Sequence, residues 1–227
     1  MTKKNEPDLE TSRSLLMSAM ALLDGMSGGT HGNISCRTGK LEFLIKPSGV
    51  KYSEMSPDKF CRVRVVAYGP ERVPTVDVIE GELRPSVDTV HHAALYVNHP
   101  WLRSICHTHS DYVVAHAICG SSIECMSTEQ ADVFGGAVPC LSYEDFESWG
   151  QRISLHKEGV PAVLLTRHGG LTFADAPSIA VELAQRLEDV ARKNVLARIV
   201  NTNNPSALLP TEVAKWHKRF KNDYGQK

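Results

Sequence analysis

The sequence has no cysteine pair spaced as C-x-x-C and no apolar run long enough to span a membrane. Its six cysteines, Cys36, Cys61, Cys106, Cys119, Cys125 and Cys140, are scattered through apolar segments. The scatter excludes a cysteine-held zinc cluster and a small disulfide framework, and predicts reduced, mostly buried thiols. The opening MTKKNEPDLE is charged and lacks the apolar stretch of a secretory signal. A soluble, cytoplasmic protein with no membrane partner is expected. A surplus of one charge is missing as well: 25 basic against 26 acidic side chains leave a formal net charge of −1. Nothing therefore attracts nucleic acid at long range, and any phosphate must be bound locally. The G-x-S-x-G elbow, the G-x-G-x-x-G fingerprint and the nucleotide P-loop are absent, which argues against α/β-hydrolase and common nucleotide chemistry.

No internal repeat, low-complexity tract or long linker divides the chain, so residues 1–227 are expected to form one domain. Its 42% hydrophobic content is enough for a substantial core without cross-links. Leu15, Leu16, Ala19, Met20, Leu22, Leu23 and Met26 recur at helical spacing, and Gly28-Gly29 stop that helix. Extended segments follow at 41–45, 62–67 and 75–79. From there the pattern alternates: helix over 88–97, strand over 102–107, helix over 110–119 with Ser110 as cap, an extended piece at 138–141 and a helix from about Tyr143. A short strand at 162–165 leads into an Arg167-His168-Gly169-Gly170 turn, then a long helix over 176–200 with Asp175 as candidate cap, and an amphipathic segment from Pro210. Early hairpin-like strands and late helices predict an α/β domain whose central sheet is mostly antiparallel and flanked by helices.

His107-Thr108-His109 stands at a strand end, where residues two apart share a face, so both imidazoles can converge on one ion. His168 follows the apolar strand at 162–165 and supplies a third imidazole, a set that suits zinc with an open coordination position. Read alone, His168 is equally a turn residue bonding backbone. Asp88 lies where an extended segment gives way to a helix: it serves as an N-cap, a fourth ligand or a base beside the metal. Two turns, one from Gly28 to Asn33 and one of Lys46-Pro47-Ser48-Gly49, can cradle an anion through backbone N–H groups, the Asn33 and Ser48 side chains and the Lys46 charge.

In order along the chain, Gly32-Asn33-Ile34-Ser35, Lys46-Pro47-Ser48-Gly49, Pro85-Ser86-Val87-Asp88, His107-Thr108-His109-Ser110, Ala131-Asp132-Val133-Phe134-Gly135, Pro139-Cys140, His168-Gly169 and Tyr224-Gly225-Gln226 resemble the class II aldolase/adducin family, and within it the L-ribulose-5-phosphate 4-epimerases. The resemblance implies a homotetramer with active sites between subunits. It assigns His107, His109 and His168 to a divalent ion, usually Zn2+ with Mn2+ or Co2+ as alternatives, and places Asp88 beside it. Asn33, Ser48, Gly49 and Ser86 map to the substrate phosphate site, with Lys46 close to the reacting oxygens. Asp132 matches the acid/base aspartate of the epimerases and Tyr224 their C-terminal catalytic tyrosine, supplied by a neighbouring subunit; His217 matches a further tail histidine. The chain departs from the pattern at Val87, where a second phosphate-binding serine is usual, at His31, where a small polar residue is usual, and at Val133, where an aromatic is usual. The activity implied is inversion of C4 in a ketopentose phosphate. That hydrogen is not adjacent to the carbonyl, so inversion proceeds by cleaving and re-forming the C3–C4 bond, with Asp132 and Tyr224 exchanging protons at the C4 oxygen. A class II aldolase that releases the aldehyde, or an adducin-like binding module without chemistry, are the alternatives.

Overall fold

A computed structural model describes residues 8–23, 25–26, 29–68, 73–143, 159–203 and 205–225. The helix expected from about Tyr143 and the residue Gln226 lie outside them. Eight strands form one sheet: β1 (Asn33–Gly39), β2 (Glu42–Ile45), β3 (Cys61–Tyr68), β4 (Pro74–Glu80), β5 (Ser104–Thr108), β6 (Cys140–Leu141), β7 (Ala162–Leu165) and β8 (Gly169–Ala174). Their order is β4-β3-β2-β1-β5-β8-β7-β6, and every pairing is antiparallel except β6 with β7. Among the described residues six α-helices accompany the sheet, α1 (Leu9–Met20), α2 (Thr89–Asn98), α3 (Asp111–Ile118), α4 (Thr128–Phe134), α5 (Pro177–Val200) and α6 (Pro210–Asp223), with two short 3-10 turns at Tyr52–Glu54 and Pro57–Lys59. The α/β class with a mostly antiparallel sheet is as the sequence predicts. Among the described residues no helix is long and apolar enough to cross a membrane.

Alternation along the strands sorts the core into two faces. Phe43, Ile45, Val63 and Ile105 pack with Ala93, Leu95 and Tyr96 of α2 on one side. Ile34, Leu44 and Cys106 pack with Leu16 and Met20 of α1 and Ala180, Val181 and Ala184 of α5 on the other. Asn33, Ser35 and His107 share parity with the first set, so β1 and β5 turn polar side chains toward α2. This arrangement positions the site.

Several local expectations change. Strand β1 begins at Asn33, inside what reads as a glycine-rich turn, and β8 begins at Gly169, inside the other. The long helix α5 is capped by Ala176, not Asp175, with Pro177 in its first turn. Ser110 occupies the N-cap of α3, but its side chain makes no capping bond. The Glu188 carboxylate of α5 instead accepts from the Tyr112 and Val113 backbone N–H groups, both at 3.0 Å. A carboxylate there also suits the positive end of the helix dipole.

Candidate metal centre and anion cradle

The three histidines converge. His107 is the last but one residue of β5, His109 follows the strand's end, and His168 directly precedes β8, which pairs with β5. One potential ligand atom from each lies within 4.8 Å of the others. The His107 and His109 Nε2 atoms are 2.9 Å apart, and the His107 and His168 rings are stacked with centroids 4.8 Å apart. The approach of β8 depends on Gly169: a Cβ there would meet the Thr108 carbonyl oxygen at 2.4 Å and His107 Cε1 at 3.0 Å. Arg167, with φ of 59° in the left-handed region, turns the chain just before His168.

Asp88 faces this group. Its Oδ2 is 3.7 Å from His107 Nε2 and its Oδ1 is 3.5 Å from His168 Nε2. Although Asp88 precedes α2 as a cap would, its side chain makes no capping bond. Instead Asn33 Nδ2 donates to Oδ2 at 2.7 Å and the Tyr143 hydroxyl donates to Oδ1 at 2.9 Å. Burial pushes the Asp88 carboxyl upward, but His168, His107, His92 and Tyr143 outweigh it and hold it well below the usual carboxylate range. Burial is also the main reason that the His107 imidazole falls to about 3 and His109 to about 4, so both are neutral near pH 7.

These residues fit a divalent cation. The His107 Nδ1–H donates to the Gly170 carbonyl at 2.9 Å, which leaves the Nε2 lone pair pointing toward the centre. His168 Nε2 is buried without a hydrogen-bond partner among the described residues. Three imidazoles beside a carboxylate are the donor chemistry of a catalytic zinc-type site, and the set can hold an ion here.

Next to the histidines, the loop after β2 meets the loop before α2. Ser48 N–H donates to the Arg84 carbonyl at 2.9 Å, and Ser86 N–H donates to the Lys46 carbonyl at 3.2 Å. Asn33 Nδ2 also donates to Ser86 Oγ at 3.0 Å. Asn33 and Ser86 thereby meet Asp88, and the backbone bonds hold the loop of Lys46, Ser48 and Gly49 beside Ser86. Gly49 takes φ of +71°, a conformation that frees the turn to present its backbone. Lys46 is 1% exposed, and burial lowers its ammonium to about 8. Its Nζ donates to the Thr30 carbonyl at 3.3 Å and the Pro47 carbonyl at 3.4 Å. Val87 is exposed, and the His31 ring lies 5.5 Å from that of His109.

Asp132 and Tyr224 belong to a second cluster. Asp132 lies on α4, and α6 packs against that helix through Val213, Trp216 and Ala131. Arg219 of α6 donates to Asp132 Oδ2 at 3.0 Å, while His217 Nδ1 lies 2.9 Å from the Asp132 carbonyl. The Arg219 guanidinium lies 5.5 Å from the exposed Tyr224 ring. The triad's side chains contact Asp88, Tyr143, His31, the Gly170 carbonyl and one another, whereas Asp132 contacts Arg219 and His217 of α6. Sequence reasoning missed Tyr143 and Arg219. No spacing signal marks Tyr143; Arg219, two residues beyond the tail histidine, was within reach.

Fold and site together define a class: residues 15–195 match the Class II Aldolase and Adducin N-terminal domain, and the chain belongs to that family. Its relatives are enzymes. It is 32% identical over 218 residues to L-ribulose-5-phosphate 4-epimerase UlaF of Salmonella paratyphi B, a match covering 88% of this chain and 89% of that one. Among solved structures, an L-fuculose 1-phosphate aldolase superposes with a TM-score of 0.78 at 22% identity, covering 96% of this chain and 99% of its own. The L-fuculose 1-phosphate aldolase from Glaciozyma antarctica gives a TM-score of 0.76 at 20% identity, covering 96% and 85%.

Proposed function

We infer that the protein is a cytoplasmic, divalent-metal-dependent 4-epimerase of a ketopentose phosphate, of the L-ribulose 5-phosphate to D-xylulose 5-phosphate type. The whole chain is read as one domain of a homotetramer. The observation that carries the reading is the convergence of His107, His109 and His168 within 4.8 Å beside the Asp88 carboxylate. The epimerase relative at 32% identity supports the choice of reaction.

His107, His109 and His168 would hold the ion, Zn2+ or alternatively Mn2+ or Co2+, with Asp88 as a further ligand or adjacent base. When bound, such an ion supplies Lewis acidity to the substrate carbonyl and to the negative charge left by carbon–carbon cleavage. The chain's own residues do the rest. Asn33, Ser48, Gly49 and Ser86 grip the phosphate, and the Lys46 ammonium lies close to the reacting oxygens. That grip retains the two-carbon aldehyde phosphate after the C3–C4 bond breaks, long enough for its carbonyl to rotate and be attacked on the other face. Asp132 and Tyr224 take the proton from the C4 oxygen and return it after re-addition, one on each face. Their separate cluster with α6 suits a contribution to a neighbouring subunit's centre.

A second reading, an aldolase that releases the aldehyde, shares the metal centre and needs no return of the proton on the opposite face. It gains weight if the cluster on α4 and α6 serves only packing. The test is to strip the ion with a chelator, restore Zn2+, Mn2+ or Co2+ in turn, and follow L-ribulose 5-phosphate. The reading expects conversion to vanish and return; conversion that survives full metal removal contradicts it.

A further inference from the structure

Tyr143 is engaged with the candidate centre through its hydroxyl, its ring and its main chain. The hydroxyl donates to Asp88 Oδ1 at 2.9 Å. The ring centroid lies 4.0 Å from that of His168 and 4.4 Å from that of His91, the latter pair stacked. The main-chain carbonyl lies 3.1 Å from His91 Nε2, and since a carbonyl only accepts, that nitrogen donates. Asp88 and His91 are three residues apart at the start of α2, so one helix end holds the tyrosine by both its hydroxyl and its backbone.

We propose that Tyr143 is a positioning residue of this centre: its hydroxyl fixes the Asp88 carboxylate and its ring seats the His168 imidazole. A carboxylate turns easily about its last torsion, so a fixed orientation needs a donor on each oxygen. Asn33 holds Oδ2 and Tyr143 holds Oδ1. Both donors are neutral, and the full negative charge of Asp88 is left to attract a cation. His107 is oriented by the Gly170 carbonyl, whereas the His168 ring meets the rings of His107, His109 and Tyr143 and the Asp88 carboxylate. The Tyr143 ring therefore does for His168 what a backbone carbonyl does for His107. Such outer partners of metal ligands change metal affinity by about 10- to 100-fold when removed.

The inference rests on the metal reading above, and its test separates the two. Co2+ alone is titrated into metal-free wild type, Tyr143→Phe and Tyr143→Leu, with visible absorption bands and competition against a chromophoric chelator as readouts, and circular dichroism confirming the fold. Tyr143→Phe keeps the ring and loses only the hydroxyl. It should still take one ion per chain, with shifted bands and an affinity about tenfold weaker, and Tyr143→Leu should be weaker again. Bands and affinity in Tyr143→Phe that match a normally loading wild type would overturn the positioning role while leaving the metal reading intact. A wild type that binds no Co2+ would overturn both.

Discussion

Asn33 Nδ2 lies 2.7 Å from Asp88 Oδ2 and 3.0 Å from Ser86 Oγ, so the first residue of β1 ties the candidate metal centre to the proposed anion cradle. Asn33 is 2% exposed, and removing its amide leaves a buried carboxylate short of a donor. Asn33→Ala should lower kcat/KM by about 10- to 100-fold and cost about 1–3 kcal/mol of stability. Steady-state kinetics and urea unfolding check both; a variant unchanged in rate would remove Asn33 from the site.

Gly169→Ala tests the closeness of β8 and β5. The added methyl meets the Thr108 carbonyl oxygen at 2.4 Å, a backbone atom that cannot swing aside. The strands must part next to both His107 and His168, and overpacking of this kind costs about 1–3 kcal/mol. A lower denaturation midpoint and a reduced bound-ion stoichiometry are expected. Gly136→Ala, whose new methyl meets only Val160 Cγ2 at 3.5 Å, should change neither.

Lys46 gives a pH dependence. Burial lowers its folded value from 10.5 to about 8, so the unfolded chain holds more protons between those limits and stability contributed by this group rises with pH across that window. If the ammonium serves the substrate, kcat/KM should fall above about pH 8 even as the fold gains. Lys46→Met should be more stable than wild type at pH 7 by about 1–3 kcal/mol, far less active, and without that step in stability. Paired pH profiles of unfolding and turnover decide this.

Arg219→Ala should leave the bound ion in place and reduce kcat about tenfold, the order of a lost positioning contact to Asp132, the proposed acid/base group. Its pair with Asp132 Oδ2 at 3.0 Å is half exposed on the arginine side, so stability should change by less than about 1 kcal/mol. Unaltered kcat would detach the α4 and α6 cluster from the chemistry.

The strands legible in the sequence are short runs of apolar, strand-forming residues bounded by glycine, proline or charged residues. Strands β2, β3, β4 and β7 were readable because Phe43, Val63, Val76 and Val163 are buried or packed on the core as apolar residues in short bounded runs. Strand β1 was not, because Asn33 and Ser35 are polar yet buried toward α2, where Ser35 Oγ lies 2.7 Å from both His92 Nδ1 and the Tyr96 hydroxyl. Strand β8 hid behind Gly169-Gly170, which read as a turn but serve close strand approach. The helix α3 takes its cap from Glu188, a contact no local pattern announces. The same limit applies at the site: the histidines and Asp88 stood out by residue type, but Tyr143 reaches Asp88 from 55 positions away.

The most direct test of the central claim is product identity. Metal-loaded protein is incubated with L-ribulose 5-phosphate and the pentose phosphates are followed by NMR, with His109→Asn as the control that should fold and fail to turn over. Wild type alone should yield D-xylulose 5-phosphate. Free glycolaldehyde phosphate and dihydroxyacetone in its place, or equal turnover by His109→Asn, would contradict the claim.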